Sequence, residues 1–368
     1  MSPSATPLEL AARLVAIDSV NPTLVPGGGG EAAVASVLAD WLERAGLEVQ
    51  VEEVSSGRSN VVGVARGTGG GRSLILNGHL DTVGLLEPDG GLGARVEDGR
   101  LYGRGAYDMK ASLAAIAFAA VDCAGLGLRG DVIVAAVADE EAASIGTEAL
   151  LRSWSADAAI VAEPTEERLC IAHRGWLAFD IEARGRAAHG SRPDLGIDAI
   201  AKMGRILVAI EALDESLQAG PRHALLGTAS VHASMIEGGQ EYSSYPARCL
   251  LRGERRTIPG EPRKDVEDEL RGLLGDSDAS ISFPFGRDPL ETAPDEEIVR
   301  SVQDRIGSGE VHGAPFWTDA ALFADAGIPA VLYGPRGEGA HAAVEWVELA
   351  SVERCRDVYV AVASAFCA

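Results

Sequence analysis

The feature that most constrains this chain is a set of apolar runs that end on acids or imidazole. Residues 60–65, 73–77, 131–138 and 158–162 are continuous, β-branched-rich runs in the first half of the sequence. A strand that is apolar on both faces belongs in a sheet covered on both sides, as in parallel α/β sheets. Three of these runs stop abruptly at polar residues: the second at His79 and Asp81 of LNGHLDTV, the third at Asp139-Glu140-Glu141, the fourth at Glu163. Ligands in open α/β sheets sit beyond the carboxyl ends of strands. The three polar ends are therefore expected to meet in one crevice. Amphipathic patterns over 7–17 and 31–45, the second opening after the glycine run Gly27–Gly30, predict helices packed on that sheet.

The pattern changes after residue 175. Leu177, Phe179 and Ile181 alternate with polar or small residues, as in a strand with one exposed face. A helical stripe at Ile197, Ile200, Met203, Ile206, Leu207 and Ile210 follows, then strand-like runs at 226–235 and 246–252. A second helical stripe (Val266, Leu270, Leu273) and a strand near 279–285 complete a β-α-β-β-α-β order, which is a split βαβ unit. The expected organisation is a catalytic α/β domain over 1–175 and 288–368, with a mainly parallel sheet between helices. An α+β, ferredoxin-like domain over 176–287 is expected to be inserted in it.

Each polar cluster has a bland reading beside a chemical one. His79 and Asp81 lie two apart, so both can face one way, and a carboxylate beside a histidine ligand fixes its tautomer. A hydrogen-bonded histidine in a turn fits the same residues. Asp108, in GRGAYDMKASLAA, reads as a helix N-cap or as a carboxylate between two metal ions. The Asp139–Glu141 acids read as a solvated loop, or as one ligand beside one general base. Glu163 in AEPT and His341 in GAHAAVEW are open in the same way. Together they are two imidazoles and several carboxylates at strand ends and loops, a donor set that suits two zinc-like ions. No G-x-S-x-G nucleophile elbow and no P-loop occurs.

Taken in order, GHLDTV, GRGAYDMK, DEE, AEPT, AAHGSRP and GAHAAVEW resemble the two-metal amidohydrolases that include acetylornithine deacetylase, succinyl-diaminopimelate desuccinylase, aminoacylase and glutamate carboxypeptidase. The resemblance implies a zinc-exopeptidase-like catalytic domain holding two divalent ions, zinc first and cobalt or manganese as alternatives. It implies His79, Asp108, Glu141, Glu163 and His341 as metal ligands, with Asp108 bridging. Asp81 would orient His79, Glu140 would be the general base, and His189 of AAHGSRP would stabilise the oxyanion. The inserted domain would be a lid that also forms a homodimer. Arg256, in R-x-x-P-G, would grip a substrate carboxylate, with Ser243 standing where many members carry Asn. The implied reaction is hydrolysis of an N-acyl amino acid, closest to N-acetylornithine. The alternatives are a carboxypeptidase or dipeptidase, a desuccinylase, or a protein that keeps the metals without turnover.

Charge narrows the partners. Lys plus Arg is 32 against 55 Asp plus Glu, a formal charge of −23. Such a surplus repels phosphate backbones and anionic lipid, which argues against nucleic-acid or membrane partners and leaves small molecules. The longest apolar stretch, 111–121, is too short to span a bilayer. Five scattered cysteines without a C-x-x-C, and an N-terminus with no basic-then-apolar pattern, lead to the expectation of a reduced, cytoplasmic setting.

Overall fold

The computed structural model describes residues 6–85 and 93–368. It divides into two units. One comprises Met1–Ile171, Thr292–His312 and Thr318–Ala368, and the other Ala172–Glu291 with Gly313–Trp317. The expected boundary of 176–287 lies inside the second unit. The short segment 313–317, expected in the first domain, belongs to the second. There the Trp317 indole donates to the Asp288 carbonyl (3.0 Å) and its ring meets His173 edge-on.

The first unit is built on a mainly parallel sheet. Its strands run in the order Glu48–Ser55, Arg58–Ala65, Val132–Val137, Leu74–His79, Ala158–Val161, Ala330–Leu332. The last four are parallel to one another and buried throughout, as their unbroken apolar sequence requires. The first two are antiparallel. Glu48–Ser55, not among the expected strands, forms the half-exposed edge. Helix Ala111–Ala124 is alanine-rich and buried on nearly every side, packed beside Pro7–Val15 and the terminal helix Leu349–Phe366. Pro7–Val15 starts on a Thr6 cap that accepts from Glu9 N (3.3 Å), with proline in its first turn.

Register sets where the strand ends fall. His79 pairs with Val137 and Asn77 with Val161, so the polar residues after all three strands emerge at one edge of the sheet. A second, small sheet brings in the rest. The hairpin Gly337–Glu338/Trp346–Glu348 pairs with Arg100–Tyr102, through Trp346 opposite Tyr102. His341 lies in the hairpin's connection and Asp108 just after its neighbour strand, so this sheet carries both toward each other.

The sheet of the second unit has four main antiparallel strands in the order Ser230–Gly238, Arg248–Thr257, Gly175–Arg184, Ala279–Ser282, and the two-residue strand Gly286–Arg287 also pairs with Gly175–Arg184. That is a ferredoxin-like order. Helices Ala199–Ala219 and Arg263–Gly272 contribute Met203, Ile206, Val266 and Leu270 to a core with Leu177, Phe179, Ile181 and Leu251. Gly253 is fixed by this packing: a Cβ there would lie 2.2 Å from Phe179 Cζ.

Candidate metal centre

His79 ends its strand and is buried. Its Nδ1 donates to the Asp81 carbonyl oxygen at 3.0 Å. A carbonyl can only accept, so the proton sits on Nδ1 and Nε2 faces the acids. The Asp81 carboxylate is farther from that ring, at 3.6 Å. It accepts instead from the backbone N–H groups of Glu140 (3.1 Å) and Glu141 (3.2 Å). Asp81 therefore orients His79 through its main chain and holds the acidic turn through its side chain.

Asp108 stands between the two imidazoles, with Oδ1 2.9 Å from His79 Nε2 and Oδ2 3.4 Å from His341 Nε2. Its own N–H donates to Glu345 Oε1 at 3.0 Å. Glu345 also accepts from Gly105 N, Tyr107 N and Arg104 Nη1, at 3.1, 2.8 and 2.6 Å, so one buried carboxylate holds the whole Asp108 turn. The peptide joining Asp108 to Met109 is cis. Glu141 Oε2 lies 3.0 Å from His341 Nε2, and Glu163 Oε1 lies 3.7 Å from His79 Nε2. Ligand atoms of His79, Glu140 and Glu163, and those of His79, Asp108 and Glu141, each fall within 4.8 Å of one another.

The electrostatics show what this cluster lacks. Burial pushes Glu140, Glu141 and Glu163 above the usual carboxylate range, and the charge of Glu163 on Glu140, and of Asp108 on the other two, adds to it. Burial alone would lower the His79 imidazole. Its hydrogen bond to Asp108 and the charge of Glu163 outweigh burial and hold it well above its ordinary value. Bonds to Asp108 and Glu141 push His341 up to about 10. Asp108 is raised by burial, but the two imidazoles hold it below the usual range. Glu141 Oε1 is buried with no hydrogen-bond partner among the described residues. Crowded acids, two imidazole nitrogens aimed among them and an orphaned carboxylate oxygen fit divalent cations with nitrogen and oxygen ligands.

Three expected residues lie in the second unit. His189 is exposed, and its Nδ1 accepts from Ser191 N at 3.2 Å, which leaves the proton of the neutral ring on Nε2. Ser243 is exposed, with its hydroxyl 3.4 Å from Glu241 Oε1. Arg256 is a third exposed (32%) and donates through Nε to Glu254 at 2.5 Å. Its neighbour Arg255 is buried on Glu261 and Glu269. Sequence reasoning gave no role to Glu345 or to Asp319. Asp319 is buried near the cluster and accepts from Thr147 Oγ1 at 2.6 Å. Burial raises it to about 6, against the pull of the Thr147 and Ser144 hydroxyls.

With this geometry in view, residues 75–365 match peptidase family M20/M25/M40. The chain belongs to that family. An acetylornithine deacetylase of Myxococcus xanthus is 30% identical over 347 residues, 89% of this chain and 90% of the relative. Among solved structures, a tripeptidase from Staphylococcus aureus superposes with a TM-score of 0.81 at 19% identity, covering 98% of both chains. A dinuclear metal binding peptidase of the M20 family from Bacillus subtilis gives 0.69 at 16% identity, over 97% of this chain and 96% of that one. The match makes this chain an amide-bond hydrolase of a metallopeptidase family, and the acid–imidazole cluster described above is its candidate metal site. No helix among the described residues is long and apolar enough to cross a membrane.

Proposed function

We propose that the chain removes the acyl group from an N-acyl amino acid, with N-acetylornithine the first candidate, using two zinc ions for which cobalt or manganese can substitute. The observation that carries this reading is the Glu140–Glu141 pair. Two adjacent acids at one strand end enter the same buried cluster, one against His341 and the other grouped with His79 and Glu163. That is the division a ligand and a base require. The named relative at 30% identity supports the deacetylase branch.

His79, Asp108 and Glu163 would hold one ion, and His341, Asp108 and Glu141 the other. Bound there, the ions supply a water acidified toward neutrality and a polarised amide carbonyl. Glu140 takes the proton of the attacking water and later delivers it to the leaving amine nitrogen. Its burial raises its proton affinity, the direction a base working near neutral pH needs. Asp81 keeps Glu140 and Glu141 in place through their N–H groups. In this reading the Nε2–H of His189 donates to the carbonyl oxygen as that oxygen gains charge. Arg256, whose terminal nitrogens make no hydrogen bond among the described residues, takes the substrate carboxylate. Ser243 lies beyond the opposite end of the same strand pair, past Arg248 and Arg184, and would reach that carboxylate only across the proposed homodimer. The proposed setting is the cytoplasm. The proposed assembly is a homodimer through the second unit, supported by the exposed Met235 and Ile236 on the outer strand of its sheet and Val208 on its long helix.

The test is a panel of N-acetylornithine, other N-acetyl amino acids, N-succinyl-diaminopimelate and simple dipeptides, each with chelator and with added Zn²⁺ or Co²⁺. Turnover of an N-acetyl amino acid, abolished by chelator and restored by metal, is expected. Preference for dipeptides would reassign the chain to a peptidase. Silence across the panel with both ions bound would make it a non-catalytic binder.

A further inference from the structure

Three stretches outside the ligand set converge behind the acidic turn: Asn21 of S-V-N-P, Glu31 at the end of the glycine run, and Arg58. Asn21 is fully buried. Its Nδ2 donates to Asp81 Oδ2 at 2.8 Å and to Asp139 Oδ1 at 3.0 Å, which uses both amide hydrogens. Its Oδ1 accepts from Thr23 N at 2.9 Å, and its own N–H donates to Thr82 O at 2.8 Å. The orientation of this amide is unambiguous. Ionised carboxylates only accept and a backbone N–H only donates, so a flipped amide would lose all three side-chain bonds.

The two carboxylates that Asn21 joins grip the same turn. Asp81 accepts from Glu140 N and Glu141 N. Asp139 opens that turn at φ 70°, a left-handed conformation that Asp tolerates but that needs support. Arg58 supplies it from behind, with Nη2 2.8 Å from Asp139 Oδ1. Arg58 also forks onto Glu31, whose Oε1 accepts from Asp139 N at 3.1 Å. Asp81, Asp139, Glu31 and Arg58 are all at most 6% exposed. Without Asn21, Asp81 would keep only the Glu140 and Glu141 N–H groups and Asp139 only Arg58, and the two carboxylates would face each other in low dielectric with no shared donor.

We infer that Asn21 is a positioning residue for Glu140 and Glu141. It locks Asp81 to Asp139, with the Arg58–Glu31 pair as the buried anchor, and so sets where the proposed base and the proposed ligand of the second ion stand. This rests on the two-ion reading above. Outer partners of metal ligands typically govern affinity or activity by ~10–100-fold, and Asn21 acts one step further out through Asp81.

The test compares Asn21→Ala with Val302→Ala, a substitution at a fully buried apolar position on helix Glu297–Ile306. Zn²⁺ affinity is read by competition with a chromophoric chelator at a temperature where both variants are folded, and kcat and KM are measured separately. Asn21→Ala is expected to weaken the weaker Zn²⁺ site and to lower kcat, each by about 10-fold or more, with KM within about 3-fold. Val302→Ala is expected to lower Tm and leave all three unchanged. Asn21→Ser, which keeps one donor, should fall between Asn21→Ala and the unmodified chain, and it carries the same test if the alanine variant does not fold. If Asn21→Ala or Asn21→Ser loses only Tm, as Val302→Ala does, the inference is overturned and Asn21 merely anchors the N-terminal segment. The unmodified chain separates the two failures. Binding of fewer than two Zn²⁺ there removes the two-ion reading and the inference with it, whereas two ions in both chains with unchanged affinity removes the inference alone.

Discussion

Glu141 and Arg255 are ionisable side chains largely kept from water, one in each unit, and their surroundings differ. Arg255 is 1% exposed, and each of its nitrogens has an acceptor: Glu269 on Nε at 3.1 Å, the Arg256 carbonyl on Nη1 at 2.7 Å, and Glu261 on Nη2 at 2.7 Å. Glu141 is 6% exposed, and although its Oε2 lies 3.0 Å from His341 Nε2, its Oε1 meets no donor among the described residues and the charge of Asp108 crowds it. The second unit closes its buried charge within the polypeptide. The first leaves a cluster that protein atoms alone do not satisfy. A buried charge costs several kcal/mol unless it is paired, so the unsatisfied cluster marks where a ligand belongs and the satisfied one marks scaffold.

The largest expected effect tests the first half of this contrast. Glu140→Gln keeps the shape of the side chain and removes the proton acceptor. A fall in kcat of about 10²–10⁴-fold with Zn²⁺ stoichiometry retained is expected. The same variant should melt no lower than the unmodified chain when both are metal-free, because the substitution removes a carboxylate that burial and Glu163 already disfavour. Unchanged turnover would strip Glu140 of its role. A large loss of Tm would show that the cluster is scaffold after all.

Arg255→Met probes the other half. It leaves Glu261 and Glu269 without their partner, but these are 24% and 32% exposed and can rehydrate. The cost should therefore be about 2 kcal/mol, below the ~3–5 kcal/mol of a fully buried pair. Urea denaturation reads it, and kcat of the folded variant should not move by more than the change in folded fraction. A neutral result would erase the distinction between the units.

How much of this was legible in the sequence follows from the same physics. Strand ends were readable because an apolar run needs burial on both faces, and the residue that stops it is thereby placed at the sheet edge. His79, Glu140 and Glu163 were found that way. The Asp81 side chain was assigned to the wrong atoms of its neighbourhood, since whether a carboxylate meets an imidazole or two backbone N–H groups depends on a turn from another strand. Glu345 and Asn21 carry no local signal at all. Their partners are backbone N–H groups some 240 residues away for Glu345 and carboxylates 60 and 118 residues away for Asn21. Edge strand Glu48–Ser55 buries too little to impose a strong pattern. The segment 313–317 joins the second unit through Trp317, whose indole donates to Asp288 and whose ring meets His173 and the Arg287 guanidinium, and through Gly313 against Leu225 and Leu226, which no periodicity announces.

The smallest expected effect is also the one whose sign separates the units. In the metal-free chain Glu140, Glu141 and Glu163 are raised, so the native state keeps protons that the unfolded chain has released, and stability falls as pH rises through that window. His79 and His341 are raised as well. Their contribution is complete below the ordinary histidine range and is lost as pH climbs toward their folded values, about 10 for His341. Asp108, held low, works the other way, but only in acid below the usual carboxylate range. In the second unit the shifted acids Glu182, Asp194, Glu267 and Asp268 are lowered by arginine or lysine partners, so whatever they contribute is in place above about pH 5 and is lost on acidification. Chelator-treated protein should therefore melt a few degrees lower at about pH 8 than at about pH 5, and saturating Zn²⁺ should remove or reverse that slope, because a bound cation replaces the protons and binds better as its ligands deprotonate. A metal-free Tm that is flat or rises over this range would mean that the acids of the first unit are as well satisfied by the polypeptide as Arg255 is in the second.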